Sequence, residues 1–132
     1  RDVPPLFLTL AQKFWPGALT LLVDASHKLP LKITANKGRV ALRWPSSAVV
    51  GALIEHLRSP VTGTSANISG HPSCSNADDL MMQLGDRLPL ILDAGETGAL
   101  LSSTIVDLTD GNWRIVREGL VSEEEIERTI NQ

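Results

Sequence analysis

The sequence has 132 residues, of which 42% are hydrophobic and 20% are charged, and this composition is typical of a globular domain, not of a disordered chain. The length predicts a single domain over residues 1–132. No apolar run reaches the roughly 20 residues that a membrane-spanning helix needs, and the lone cysteine, Cys74, excludes a disulfide framework and a multi-cysteine zinc site. We therefore expect a cytoplasmic protein that does not contact a membrane.

The charge is unevenly distributed along the sequence. Residues 1–60 contain eight basic and three acidic residues (net +5), whereas residues 61–132 contain four basic and twelve acidic residues (net −8). A basic stretch without acidic residues attracts the phosphates of a nucleotide or of an RNA backbone, although solvated surface lysines give the same pattern. Between Ala25 and Ile54 the sequence contains no acidic residue and five basic residues, which are Lys28, Lys32, Lys37, Arg39 and Arg43.

Four stretches have the apolar spacing and the end signals of helices. Pro4 and Pro5 favour a helix start, and Pro16–Gly17 ends the helix that follows. Ser122, with Glu125 three residues later, is a capping box for a terminal helix. The predicted helices are residues 6–14, 49–57 (capped by Ser46 or Ser47), 77–84 and 123–130.

Apolar runs of strand length lie between these helices. Strands and helices alternate at first and a hairpin comes late, so we predict an α/β fold with a twisted mixed β-sheet and flanking helices. Polar loops at strand ends, here Ser65–Asn76 and residues 95–102, are where such sheets hold their binding sites. The predicted strands are residues 18–24, 31–35, 40–44, 60–64 and 88–93, and a hairpin of residues 104–108 and 113–116 around Asp110–Gly111.

The segment from Thr62 to Ser75 is the richest in polar chemistry. It combines hydroxyls, an amide and two glycines directly after a predicted strand, and such a segment can hold phosphate oxygens with its N–H and O–H groups. A hydrogen-bonded turn has the same composition, so that alternative stays open. The segment has neither a Gly-Lys-Ser/Thr phosphate loop nor a complete Gly-x-Ser-x-Gly elbow.

Several residue types invite other interpretations, each on a weak signal. Ser65, His71 and Asp93 have the residue types of a hydrolytic triad, but residue types alone carry little weight. The three histidines, His27, His56 and His71, have no metal-ligand spacing, so we predict no metal site. Cys74 is interpreted as a bystander in its polar loop.

Two arginines stand at the ends of predicted strands, Arg43 and Arg117. The planar guanidinium fork binds a carboxylate or a phosphate through two parallel hydrogen bonds. A surface salt bridge is the alternative for each arginine taken alone.

Five segments in this order resemble the family that makes threonylcarbamoyl-adenylate, the Sua5/YrdC/YciO-type proteins. The resemblance extends over nearly the whole chain. The matching segments are Phe14–Thr20 (FWPGALT), Val40–Pro45 (VALRWP), Ser65–Gly70 (SANISG), Ser103–Asp107 (STIVD) and Arg117–Gly119 (REG).

The resemblance implies an activity and a set of binding residues. Members condense L-threonine, bicarbonate and ATP into threonylcarbamoyl-AMP and pyrophosphate, for modification of the adenosine beside the anticodon of tRNA. Arg43 would hold the threonine carboxylate, with Ser103 and the backbone of Gly63 alongside. Magnesium is expected with the triphosphate, and the resemblance assigns neither a catalytic residue nor a protein ligand for the metal. The residues that would contact ATP are Ser65, Asn67, Ser73, Arg117 and, where the family has a small hydroxyl residue, Arg39.

The family also has an N-terminal section that this sequence lacks. That section contains a Pro-Thr-Glu-Thr-x-Tyr-Gly-like threonine-binding stretch and a Lys-x-Arg segment that binds the triphosphate. We therefore expect a chain truncated at the N-terminus that makes little or no threonylcarbamoyl-AMP alone. The alternatives are an inactive shortened paralogue and a non-catalytic module that binds double-stranded RNA or tRNA. Pairing with itself as a homodimer would cover the strand edge that the missing section leaves.

Overall fold

A computed structural model describes residues 2–97 and 102–132 of the chain. Its centre is a four-stranded sheet of β1 (Leu19–Asp24), β2 (Arg39–Leu42), β3 (Thr104–Asp107) and β4 (Arg114–Arg117). The strand order is β2-β1-β3-β4, in which β1 and β3 are parallel and both outer pairs are antiparallel. The helices are α1 (Pro5–Phe14), α2 (Leu31–Thr34), α3 (Ala48–Leu57), α4 (Ala77–Leu84) and α5 (Glu123–Ile130), with a 3-10 turn at Gly85–Arg87. The predicted α/β fold with a mixed sheet is confirmed.

One face of the sheet packs against α1 and α5 and forms the core. Leu19 and Leu21 of β1 are fully buried there, together with Leu10 of α1 and Ile126 of α5. Burial of each such side chain stabilises the fold by roughly 1.5–3 kcal/mol. Burial alternates along β1, so Thr20 points away from this core. We call the sheet face that carries Thr20 the open face.

The predicted helix starts are confirmed. Helix α1 has a proline in its first turn and ends at Phe14, before Pro16. The side chain of Ser47 accepts the N–H of Val50 at 3.4 Å and caps α3. Ser122 and Glu125 form the reciprocal capping box of α5, in which each side chain accepts the other residue's backbone N–H. The predicted hairpin and the strand at 18–24 are also present, within one or two residues of the expected bounds.

The predicted strand at 31–35 is wrong, because this segment is the short helix α2. No described strand pairs with this segment, and its apolar residue Leu31 is 69% exposed. The chain reverses direction here, and the carbonyl of Gly38 accepts the N–H of Ala25 at 2.8 Å, next to the first pair of the β1–β2 ladder. Left-handed backbone at Ala35 and Asn36 makes that reversal.

The predicted strands at 60–64 and 88–93 are also wrong, since both segments have irregular backbone. No described strand runs beside either one, and an extended segment without a neighbour gains no ladder hydrogen bonds. Their apolar side chains remain in contact with solvent, with Leu90 72% and Leu92 57% exposed.

The predicted loop at 95–102 lies partly outside the described residues, at 98–101. Within the described residues, no helix has the length and apolar character required to cross a membrane.

Candidate functional site

Four polar residues lie at the same end of the sheet. Arg43 directly follows β2, Ser103 directly precedes β3, Arg117 ends β4, and Thr20 is the second residue of β1. Because β1 and β3 are parallel and the two outer strands are antiparallel to them, these positions share one end of the sheet. We call this the Ser103 end. The strand register pairs Thr20 with Ile105 and Ile105 with Arg117, so both polar side chains lie on the open face.

The Arg43 guanidinium is oriented by the loop that precedes β1. Its Nε–H donates to the carbonyl of Gly17 at 2.8 Å, and the N–H of Gly17 donates to the carbonyl of Trp44 at 2.8 Å. A Cβ at Gly17 would lie 2.3 Å from the carbonyl oxygen of Phe14, so this close approach requires glycine. The two terminal nitrogens of Arg43 donate to no described residue, and they form the edge of the fork that can bind a carboxylate.

Ser103 lies between a threonine and an arginine. Arg117 donates through Nη2 and Nε to the Ser103 carbonyl at 2.8 and 3.2 Å, and through Nη2 to the Ser103 hydroxyl at 3.2 Å. The Oγ1 of Thr20 is 2.9 Å from the same hydroxyl oxygen. Ser103 is only 8% exposed, so these contacts and not bulk water set its orientation. The cluster concentrates hydrogen-bond donors and one positive charge, which suits an anionic ligand.

The segment that follows Arg117 is held tightly against the start of β3. The Thr104 hydroxyl accepts the N–H groups of Gly119 at 2.8 Å and of Val121 at 3.1 Å, and it donates to the Val121 carbonyl. A Cβ at Gly119 would lie 2.1 Å from the carbonyl oxygen of Ser102. Arg117 and Ser103 are therefore brought together by a backbone contact that only glycine permits.

The polar loop Ser65–Asn76 is organised by Asn67. Its Nδ2 donates to the carbonyls of Ile68 at 3.0 Å and His71 at 2.8 Å, which closes the loop on itself. Its Oδ1 is buried without a hydrogen-bond partner among the described residues. Since both amide hydrogens are used, the free Oδ1 is an acceptor that a ligand donor can satisfy.

Helix α3 connects the loop with the Ser103 end. A groove of about 820 Å³ extends from Arg43 and Trp44 along α3 to Val61. On another side of α3, a smaller cavity of about 300 Å³ is bordered by the loop residues Ala66 and Cys74. Among the described residues, no hydrogen bond or ion pair joins the loop to the Ser103 end. The structure thus places Arg43 at the same sheet end as the contacting pair Ser103 and Arg117. A separate segment, which follows α3, carries Gly63, Ser65, Asn67 and Ser73.

Arg39 lies on the open face at the opposite end of the sheet. It forms ion pairs with Asp107 at 3.4 Å and Asp110 at 3.2 Å, and Arg114 pairs with Asp107 at 2.7 Å. Burial by itself would raise the pKa of Asp107, but hydrogen bonds from Thr109 and Arg114 outweigh it, and the pKa is lowered. The guanidinium of Arg39 is thus committed to carboxylates, and its contact with a nucleotide stays a prediction.

The hydrolytic interpretation finds no geometric support in the described residues. The side chains of Ser65, His71 and Asp93 make no hydrogen bonds with one another, and Asp93 Oδ1 instead accepts the N–H of Gly95 at 2.9 Å. Neither Thr20 nor Gly17 is among the predicted site residues, although both lie in the Phe14–Thr20 segment that carries the family resemblance. The signal was present, but the hydrogen bonds that give these residues a role became visible only in three dimensions.

Comparison with known proteins gives concordant results. The family model of Sua5/YciO/YrdC, described as "Telomere recombination", matches residues 1–119. Threonylcarbamoyl-AMP synthase of Pyrococcus abyssi is 36% identical over 132 residues, which are 100% of this chain and 39% of the relative. Threonylcarbamoyl-AMP synthase of Bacillus subtilis is 37% identical over 123 residues, which cover 92% of this chain and 36% of the relative.

Solved structures agree with these sequence matches. The structure of P. abyssi Sua5 complexed with L-threonine has a TM-score of 0.93 and 37% identity, over 98% of this chain and 38% of that one. Escherichia coli YciO has a TM-score of 0.70 and 25% identity, over 91% of this chain and 58% of that one. The chain spans less than two fifths of the two curated relatives. With its sequence matched from residue 1 to 119 and its fold shared, the chain belongs to the Sua5/YciO/YrdC family.

Proposed function

We propose that the chain binds L-threonine and ATP for the synthesis of threonylcarbamoyl-AMP, which serves threonylcarbamoyladenosine formation in tRNA. The observation that carries the proposal is the convergence of Arg43, Ser103 and Arg117, from three distant segments, at the Ser103 end. The names of the curated relatives and the L-threonine complex of P. abyssi Sua5 support it. The chain would supply part of the binding surface that the longer relatives contain.

The threonine carboxylate would bind the free edge of the Arg43 guanidinium. Because Nε is held on the Gly17 carbonyl and the two terminal nitrogens donate to no described residue, those nitrogens remain available as a pair of parallel donors. The Ser103 hydroxyl would add a third donor. Gly63 is exposed and follows two residues after Val61, which lines the groove that contains Arg43, and its backbone is proposed as a further threonine contact. This donor set matches one carboxylate.

ATP would contact Arg117 and the polar loop. Arg117 supplies a positive charge for a phosphate, and Ser65 and Ser73 supply exposed hydroxyls. The unpartnered Oδ1 of Asn67 would accept a hydrogen bond from the nucleotide, which has donors only on its base and ribose. Among the described residues, no three His, Cys, Asp or Glu side chains come together as metal ligands. We therefore assign Mg²⁺ to the triphosphate, as part of the substrate.

The reaction balances as a nucleotidyl transfer. The amino group of threonine and bicarbonate give a carbamate with loss of water, and a carbamate oxygen then attacks the α-phosphorus of ATP. An oxygen–phosphorus bond forms, and the bond to the leaving pyrophosphate breaks. Arg43 and Ser103 would hold the attacking group while Arg117 stabilises phosphate charge, so positioning and electrostatics supply the rate enhancement.

Threonine binding by the 132-residue chain tests the proposal directly. In calorimetric titrations we expect Arg43→Ala and Arg43→Lys both to weaken L-threonine binding, roughly tenfold for the lysine variant, because a lysine keeps the charge but loses the fork. The matched controls are Arg128→Ala and Arg128→Lys, since Arg128 pairs with Glu124 on the exposed side of α5. Binding equally insensitive to both Arg43 variants would refute the assignment.

A pyrophosphate-release assay separates binding from catalysis. We expect little or no release by the 132-residue chain alone with threonine, bicarbonate, ATP and Mg²⁺, because these residues correspond to less than two fifths of the two curated relatives. Robust release that depends on both threonine and bicarbonate would contradict this expectation.

The basic stretch supports RNA binding as a second candidate. Lys28, Lys32 and Lys37 are exposed around α2, at the sheet end opposite to the Ser103 end. Three phosphate contacts would give a slope of about −2 to −3 for log K against log salt with double-stranded RNA or tRNA. Such a slope in a chain without detectable ATP binding would favour this candidate. A cytoplasmic location and a homodimer stay predictions, and ultracentrifugation tests the second.

A further inference from the structure

Thr20 has no role in the proposed binding set, yet its side chain contacts the centre of the Ser103 end. Its Oγ1 lies 2.9 Å from the Ser103 Oγ, and Arg117 Nη2 lies 3.2 Å from the same oxygen. We propose that Thr20 is a positioning residue that orients the Ser103 hydroxyl so that its proton is donated to the ligand carboxylate. This inference rests on the proposed function, because it names a device within the same site.

Counting hydrogens and lone pairs leads to this assignment. A hydroxyl donates one hydrogen bond and accepts two, whereas a guanidinium only donates. Arg117 therefore uses one lone pair of Ser103 Oγ. Either hydroxyl can donate in the Thr20–Ser103 contact, and the proposed orientation is the one in which Thr20 donates. Both acceptor positions of Ser103 are then filled, and its proton has no other described acceptor. That proton is then available to a ligand, and the nearby Arg117 charge turns it away from the guanidinium.

Thr20 suits this task better than a flexible hydroxyl would. A β-branched side chain in a strand has a restricted χ1, so its Oγ1 is held in place by the backbone of β1. β1 lies between β2 and β3, and both strands fix its register. The Ser103 hydroxyl is consequently oriented before a ligand arrives, and less ordering is required on binding.

The test compares variants of Thr20 in the 132-residue chain by calorimetry with L-threonine and with L-threoninol, which has an alcohol in place of the carboxylate. Thr20→Val removes the hydroxyl and keeps the shape, and we expect about tenfold weaker binding of L-threonine with little change for L-threoninol. Thr20→Ser keeps the hydroxyl and should restore binding to within about threefold. Thr9→Val, at an exposed position of α1, is the matched control.

A double-variant cycle tests whether Thr20 acts through Ser103. Because both changes remove the same donor, Ser103→Ala combined with Thr20→Val should bind L-threonine no more weakly than Ser103→Ala alone. Thermal melting checks that each variant folds, and Thr20→Ala serves as the second variant without a hydroxyl.

The outcomes separate this inference from the proposed function. Binding of L-threonine by Thr20→Val or Thr20→Ala within twofold of the unaltered chain overturns the role of Thr20 alone. Equal weakening for L-threonine and L-threoninol, or additive effects in the cycle, also overturns it. An unaltered chain that binds no L-threonine overturns the proposed function and this inference together.

Discussion

Replacement of Gly119 by alanine tests the backbone contact that joins Arg117 to Ser103. The added Cβ would lie 2.1 Å from the Ser102 carbonyl oxygen and 2.8 Å from the Thr104 nitrogen, and both are backbone atoms. Since carbon atoms pack best at roughly 3.5 Å, the segment must move by about 1 Å. Two hydrogen bonds across this contact, of 2.8 Å from Gly119 and 3.1 Å from Leu120, would then exceed the usual length.

The size of the effect follows from these two bonds. Each contributes about 1–1.5 kcal/mol, so Gly119→Ala should lower the free energy of unfolding by about 2–3 kcal/mol. It should also weaken L-threonine binding, because the Arg117 and Ser103 pair is displaced. Urea denaturation followed by tryptophan fluorescence gives the first quantity, and calorimetry gives the second.

A matched control is available in α3. A Cβ at Gly51 would meet no atom within 4 Å, so Gly51→Ala should leave stability unchanged or raise it by up to about 1 kcal/mol through helix propensity. If Gly119→Ala unfolds within about 0.5 kcal/mol of the unaltered chain, the steric reasoning is wrong.

Three further predictions concern the described side chains. The pKa of Asp107 is lowered in the fold, so its stabilising contribution is full above the unfolded pKa of about 4 and is lost as pH falls through the folded pKa. Asp107→Asn should lower the free energy of unfolding by about 1–2 kcal/mol at pH 7 and weaken the fall of that free energy towards acidic pH. The control Asp2→Asn should change neither quantity. An unaltered pH dependence in Asp107→Asn would count against this reasoning. Thr104→Val should lower the free energy of unfolding by about 3 kcal/mol, because it leaves the N–H groups of Gly119 and Val121 and the carbonyl of Val121 without partners. Thr104→Ser should recover most of that loss, as measured by urea titration. Ser122→Ala should cost about 1 kcal/mol through loss of the α5 cap, measured in the same way, and an unchanged midpoint would argue against the cap.

The sequence predicted local features whose causes are themselves local. Proline at the start of α1, the Ser47 cap and the Ser122–Glu125 box act within one helical turn, so the residues alone identify them. The apolar run at residues 18–24 likewise identified β1 as a strand. Arg43 and Arg117 were noticed because arginine at a strand end is a local pattern, and their ligand-binding roles stay predictions. Their position at the same end of the sheet depends on strand order.

The wrong predictions share a non-local cause. The segments 31–35, 60–64 and 88–93 have the composition of strands, but a strand exists only beside a partner, and no described partner flanks them. Arg39 illustrates the same limit for charge, because its two carboxylate partners come from residues 107 and 110. The role of Thr20 required knowledge of a contact across 83 residues of sequence.

The parallel pairing of β1 with β3 has a consequence for biosynthesis. Residues 19–22 pair with residues 104–107, so the central ladder cannot close until residue 107 has left the ribosome. Closing so long a loop loses entropy before any contact compensates for it, which makes this step slow compared with the pairing of β1 and β2. A nascent chain that stops before residue 103 contains Arg43 but neither Ser103 nor Arg117, so the Ser103 end is complete only after Arg117 has been synthesised.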